Sequence, residues 1–108
     1  VNRGEIWTAA GGANYMGKPR PVLILQDDRF DATGSVTVCP LTSDSTEIPL
    51  LRIPLEASSE MGLAQPSRIM VDKVTTMPRA RLGEYVGRVS DDDMAELSRA
   101  LIVFLGFA

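Results

Sequence analysis

The chain contains no histidine and a single cysteine, Cys39. Those two scarcities remove much of the usual repertoire of enzyme chemistry. A zinc site built on histidine and cysteine, a Ser-His-Asp triad and paired-histidine nuclease chemistry all lack their parts. A lone cysteine makes no internal disulfide, and Cys39 stands in an apolar strand pattern, which reads as a buried thiol rather than a reactive one. Long apolar runs are missing too. No window approaches the roughly 18 consecutive apolar residues of a membrane span. No charged-then-apolar leader precedes Arg3-Gly4-Glu5, so the expected setting is the cytoplasm, with no membrane partner. A length of 108 residues at 44% apolar content suits one domain, 1–108, with one core.

What is present is organised around Lys18-Pro19-Arg20-Pro21-Val22-Leu23-Ile24-Leu25-Gln26. The unbroken run Val22–Leu25 is too short for a buried helix and rich in branched side chains, so it predicts a strand buried on both faces. Each proline holds the residue before it extended, which places the Arg20 guanidinium on a stiff backbone at the mouth of that strand. Around it the pattern predicts a first strand over Gly4–Ala9 with the Trp7 indole in the core. The glycine-rich stretch Ala10–Gly17 reads as a loop, and it lacks the lysine-serine pair of a phosphate loop. Further strands are expected at Val36–Leu41, stopped by Pro40, at Pro49–Leu55 between two prolines, at Ser67–Val74, where Thr75-Thr76-Met77-Pro78 ends it, and at Tyr85–Val89. Arg79–Gly83 suggests a short helical turn. Ser90 then caps a helix, with Asp93 three residues on as in a capping box. Met94, Leu97, Leu101 and Phe104 follow at helical spacing until Gly106, a stripe for the core or a dimer seam. Short strands with proline and glycine turns, then one helix, predict a mainly β fold: a small, strongly bent, barrel-like sheet capped by the helix.

The net charge of −3 is unevenly spread. Residues 1–26 carry three bases against one acid, 27–60 two against seven, 61–88 five against two, and the last twenty residues one against four. Two basic segments folded onto one face give a local site for nucleic acid on an acidic protein, although any single charge reads equally as solvated surface.

In order along the chain, Arg3-Gly4-Glu5-Ile6-Trp7, Lys18–Leu23, Val36–Leu41 running into Thr42-Ser43, Val71-Asp72-Lys73-Val74-Thr75-Thr76, and Arg81-Leu82-Gly83 leading to Gly87-Arg88-Val89-Ser90 resemble the MazF/PemK family of toxins from bacterial toxin–antitoxin pairs. The resemblance spans essentially the whole chain. It implies an SH3-like barrel of the CcdB/PemK type and a homodimer. It further implies a sequence-specific endoribonuclease that cuts single-stranded RNA without metal or other cofactor, held in check by a cognate antitoxin. By that resemblance Arg20 and Thr42 are the catalytic pair, and Asp72 fits an acidic position with a catalytic or base-recognition role. Met70 stands where some relatives have an arginine and Lys73 where others have a glutamine, so neither a second catalytic arginine nor a known cut sequence carries over.

The chemistry asks for charge stabilisation at phosphorus and a proton for the departing 5′-oxygen as the 2′-hydroxyl attacks. Arg20 offers a fork of donors and never a base; Thr42 offers a hydroxyl that donates and accepts. Lys18, Lys73, Arg79 and Arg81 supply a phosphate track, with Ser43, Thr75, Asn14 and Tyr15 for contacts to splayed bases. Structural readings stand beside these: Arg20 paired with Asp27, Asp28 or Asp72, Thr42 as a loop or cap hydroxyl, and Asp72 paired with Arg20 or Lys73. Two other functions fit a small barrel: a binding module that leaves RNA intact, and a toxin acting on a protein such as DNA gyrase.

Overall fold

The computed structural model describes residues 1–10, 18–58 and 60–108. Seven strands, β1 (Glu5–Ala9), β2 (Arg20–Ile24), β3 (Ser35–Thr42), β4 (Arg52–Leu55), β5 (Ser67–Met70), β6 (Thr75–Pro78) and β7 (Leu82–Arg88), precede one helix, α1 (Asp91–Phe104). All pairings are antiparallel, and the sheet runs β4-β5-β3-β2-β1-β7. On its side away from β2, β3 has two partners: β6 along Ser35–Val38, then β5 along Leu41–Thr42. This exchange bends the sheet into its barrel-like form.

The apolar run of β2 is buried on both faces as its composition predicts. Strand side chains alternate between faces, and Leu23 and Leu25 join one cluster with Cys39, Leu41, Ile69 and Leu97 of α1. Val22 and Ile24 join a smaller cluster on the opposite face with Ala9, Val36 and Val38. The helix closes the larger core. Ser90 caps it as expected, its hydroxyl accepting from the Asp93 N–H at 3.1 Å, and Gly106 follows with φ +82°. Arg3 ties the helix to the sheet, donating to the Leu25 carbonyl and to Ser98 Oγ. Cys39 is fully buried and donates to the Met70 carbonyl. Burial, with the nearby Asp72 carboxylate adding to it, pushes its thiol up to about 12.

Three expectations need correction. Pro40 does not stop its strand: β3 continues to Thr42, with Pro40 opposite Val22. Because the Thr37 carbonyl bonds Leu25 on the β2 side, alternation turns the Pro40 nitrogen the other way. There β6 has already left at Val38 and β5 begins at Leu41, so the missing N–H costs no ladder bond. The strand expected over Ser67–Val74 ends at Met70, a 3-10 turn occupies Val71–Lys73, and Thr75–Pro78 forms β6 rather than a terminator. Trp7 is only half-buried, because its indole N–H donates to Glu5 Oε1 at 3.1 Å and its ring meets Tyr85 edge-on at the rim.

Candidate active site

The smaller core stops short of one end of the sheet, and a cavity of about 660 Å³ opens there. Its size falls in the usual range for ligand sites, roughly 300–1,000 Å³. The register of β2 and β3 explains who lines it. Val22 lies opposite Pro40; the same register carried two residues further sets Arg20 opposite Thr42. Arg20 shares its face with Val22, and Thr42 shares its face with Val36 and Val38, so both project from the end of the smaller core. Thr75 follows from β6, where it pairs with Val38. The exposed Ser43 completes the far lip.

The cavity thus brings together Arg20, Thr42, Ser43, Thr75 and Arg81 of the residues read from the sequence, and adds Gln65. Two of its described lining residues are arginines and none is a carboxylate. That is a cationic pocket on a chain of net charge −3. Arg81 is brought in by a backbone bond: its carbonyl accepts from the Ala10 N–H at 2.9 Å, while Ala9 pairs with Arg20 on one side and Leu82 on the other. Its place beside Arg20 depends on a bond between residues 71 positions apart, which no local pattern announces. Thr42 Oγ1 accepts from the Asp44 N–H at 3.1 Å. The loop-hydroxyl reading is therefore present, and it leaves the hydroxyl proton available to donate into the cavity.

Other sequence-derived residues lie elsewhere. Asp72 is half-buried beyond Met70, bonded to Arg52 at 2.5 Å and facing Lys73 Nζ at 3.9 Å. Burial raises its pKa, but the Arg52 hydrogen bond and charge outweigh that and hold the carboxyl below its ordinary value. Asp27 is bonded to Arg29. Arg79 turns to the Thr33 and Phe30 carbonyls, away from the cavity. Lys18 is exposed ahead of β2. Neither Lys18 nor Lys73 lines the cavity. Asn14 and Tyr15 lie outside the described residues, as does the Gly11–Gly17 loop. No group of three or more metal-ligating side chains gathers among the described residues.

A small bent β sheet with an arginine-lined cleft on its thin face and a helix on its thick one defines a barrel-type domain. The chain belongs to a family with that build: residues 2–105 match the model of the PemK-like, MazF-like toxins of type II toxin-antitoxin systems. It is 56% identical over 108 residues to a probable endoribonuclease MazF of Mycolicibacterium smegmatis, covering 100% of this chain and 99% of that protein. With endoribonuclease MazF9 of Mycobacterium tuberculosis it shares 30% identity across 97% of this chain and 96% of that one. Among solved structures, a mycobacterial endoribonuclease in complex with its cognate antitoxin superposes with a TM-score of 0.81 at 25% identity, covering 100% and 97% of the two chains. The Mycobacterium tuberculosis toxin MazF-mt6 superposes at 0.79 with 27% identity, over 94% and 96%.

Proposed function

We propose that this toxin is a sequence-specific endoribonuclease that cleaves single-stranded RNA by attack of a 2′-hydroxyl on the adjacent phosphate. The observation carrying this reading is the register that sets Arg20 across from Thr42 in a cavity lined by two arginines and no carboxylate. In the reaction the 2′-oxygen bonds to phosphorus and the bond to the 5′-oxygen breaks, leaving a 2′,3′-cyclic phosphate and a free 5′-hydroxyl. The 2′-hydroxyl loses a proton and the 5′-oxygen gains one. Arg20 donates its planar fork to the phosphoryl oxygens as their charge grows, a contribution on the order of 3–4 kcal/mol for one preorganised donor. Thr42, with Asp44 N–H already on one lone pair, donates to the phosphate and fixes its orientation.

Arg81, on the other side of Ala9 from Arg20, takes a neighbouring phosphate, and Lys18 extends the same positive rim. Ser43 and Thr75 hydroxyls meet base edges. Asp72 serves this reading as a support, because its carboxylate holds Arg52 beside Met70 of the cavity wall. No step needs a metal or cofactor, since the residues in place supply the charge.

The expected partners follow from two surfaces. A cognate antitoxin whose acidic segment lies over the Arg20–Arg81 cleft would exclude RNA. A second copy of the chain covers the exposed apolar end of α1, where Ile102, Val103, Phe104, Leu105 and Phe107 are between 44% and 79% exposed. Among the described residues no helix is long and apolar enough to cross a membrane, and the expected setting is the cytoplasm, where mRNA is at hand.

The test is incubation of the purified protein, in chelator, with long single-stranded RNA of mixed sequence, followed by mapping of the new ends. Arg20→Ala and a substrate with one deoxyribose at the cut site run beside it. Cuts at one recurring motif, abolished by both changes, support the proposal. Intact RNA from folded, dimeric protein overturns it.

A further inference from the structure

The cavity holds one side-chain amide among its described lining residues, Gln65, on the segment that leads into β5. It carries no charge for a phosphate and no proton for the chemistry. A carboxamide does one thing well in such a place: it presents a donor and an acceptor side by side, the pattern that pairs with the edge of a nucleobase. The Gln65 side chain is exposed and makes no hydrogen bond or ion pair among the described residues, so both functions are available to a ligand.

The backbone holds that amide at a defined distance from the site. Leu41 pairs with Ile69 and Thr42 with Arg68; the register continued sets Ser43 opposite Ser67, and Gln65 two residues beyond, about 7 Å further along the chain. Arg68 reaches across to the Asp44 carbonyl at 3.3 Å, keeping the two segments together past the end of the ladder. Ser67 is buried and its hydroxyl donates to the Gln65 carbonyl at 3.3 Å, shaping the bend into β5. Pro66 disfavours a helical backbone at Gln65. Further back, Gly62 (φ +68°) and Gly87 let the segment sit backbone-on-backbone against β7. A Cβ at Gly62 would stand 2.0 Å from the Val86 carbonyl oxygen, and one at Gly87 would stand 2.1 Å from that of Met61.

We infer that Gln65 is a specificity-determining residue, reading the edge of one base next to the cleaved phosphate. This rests on the ribonuclease reading above and deepens it. The residue touches neither phosphorus nor the reacting oxygens. Its loss therefore slows the sites that carry the base it reads toward the rate of those that lack it, and leaves the rest as they are.

The experiment maps cut sites of the wild-type protein, Gln65→Ala and Gln65→Glu on one random-sequence single-stranded RNA pool in chelator. In Gln65→Ala, discrimination at one motif position falls by about 5- to 150-fold, the range for one bidentate base contact. Preferences at the other positions stay as in the wild type, and the loss of rate falls on sites carrying the base that Gln65 reads. Gln65→Glu, an acceptor only, turns that same position toward bases presenting an amino group. An unchanged motif in both variants overturns the inference, and so does a uniform loss of cutting at every site with preferences intact, because that is the mark of a scaffold residue. Intact RNA from the wild-type protein overturns the ribonuclease reading itself, and the inference with it, an outcome distinct from wild-type cutting with unaltered variants.

Discussion

Gly87→Ala tests how firmly the segment carrying one cavity wall is seated on β7. A Cβ on residue 87 would lie 2.1 Å from the Met61 carbonyl oxygen, 2.2 Å from its carbon and 2.6 Å from the Glu60 oxygen. Real Cβ atoms essentially never come within 3.0 Å, so the segment must retreat by about 0.9 Å. The atoms in the way are backbone, and no rotamer relieves them. Retreat lengthens the 3.0 Å bond from Arg88 N–H to the Glu60 carbonyl, at about 1 kcal/mol. It also pulls Met61 and Leu63 from the larger core, for about 1 kcal/mol each when withdrawal is partial. Residual strain adds about 1 kcal/mol. The expected loss is 3–5 kcal/mol, a large share of a marginal domain's roughly 5–15 kcal/mol. In thermal terms the midpoint falls by about 15–30 °C. Urea titration followed by circular dichroism measures the first figure and a thermal scan the second. A loss below about 1 kcal/mol, with the wild-type cleavage motif retained, would refute the claim that Gly87 seats this wall.

Arg20→Ala should lower kcat by about 10²–10³-fold, and Arg20→Lys should restore only part of it because an ammonium lacks the planar fork; single-turnover cleavage of a mapped site measures both. Thr42→Val removes the hydroxyl and its bond to the Asp44 N–H at nearly constant volume, and should cost cleavage while leaving the fold in place, checked by the same assay beside circular dichroism. Arg52→Met should destabilise by about 1–2 kcal/mol at neutral pH, between the values for exposed and buried pairs. Because Asp72 has a lower pKa folded than unfolded, the pair's contribution is present above the ordinary carboxylate value of about 4 and fades as pH falls through the folded one. The wild-type advantage over Arg52→Met should shrink across that window in denaturant titrations at stepped pH. Ser90→Ala should cost about 1 kcal/mol through loss of the helix cap, read as a shift in denaturation midpoint.

Much of this molecule is legible in its sequence where the signal is local. The helix announced itself through Ser90, the acidic first turn and the spacing of Leu97 and Leu101, and β2 through an apolar run too short for anything but a strand. Pro40 was misleading because a proline's tolerance depends on which side of the strand its nitrogen faces, and that is decided by the partner exchange along β3. Thr75–Pro78 hid as a strand because its exposed polar residues carry no apolar alternation; only pairing with β3 makes it one. The site divides the same way. Arg20 and Thr42 stand out through chain context and family likeness, whereas Gln65 becomes visible only when segments distant in sequence meet across the cavity, and only that meeting tells Arg81 from the other basic residues of the expected track. Asp72 has the residue type expected for chemistry, yet its partner Arg52 sits twenty positions back, on a strand with no mark of function.

The facing of Arg20 and Thr42 has an evolutionary consequence. Between β2 and β3 the chain passes through residues 27–34, an exposed turn whose length nothing in the cleft constrains. Insertions and deletions there are cheap so long as the two strands rejoin in the same parity. A single-residue slip within β2 is another matter: it turns Arg20 to the helix side of the sheet, exchanges Val22 for Leu23 in the smaller core, and disarms the toxin in one step. Lineages descended from this chain should therefore vary freely in that turn, while inactive copies, released from selection, should carry odd-numbered indels inside the strand itself.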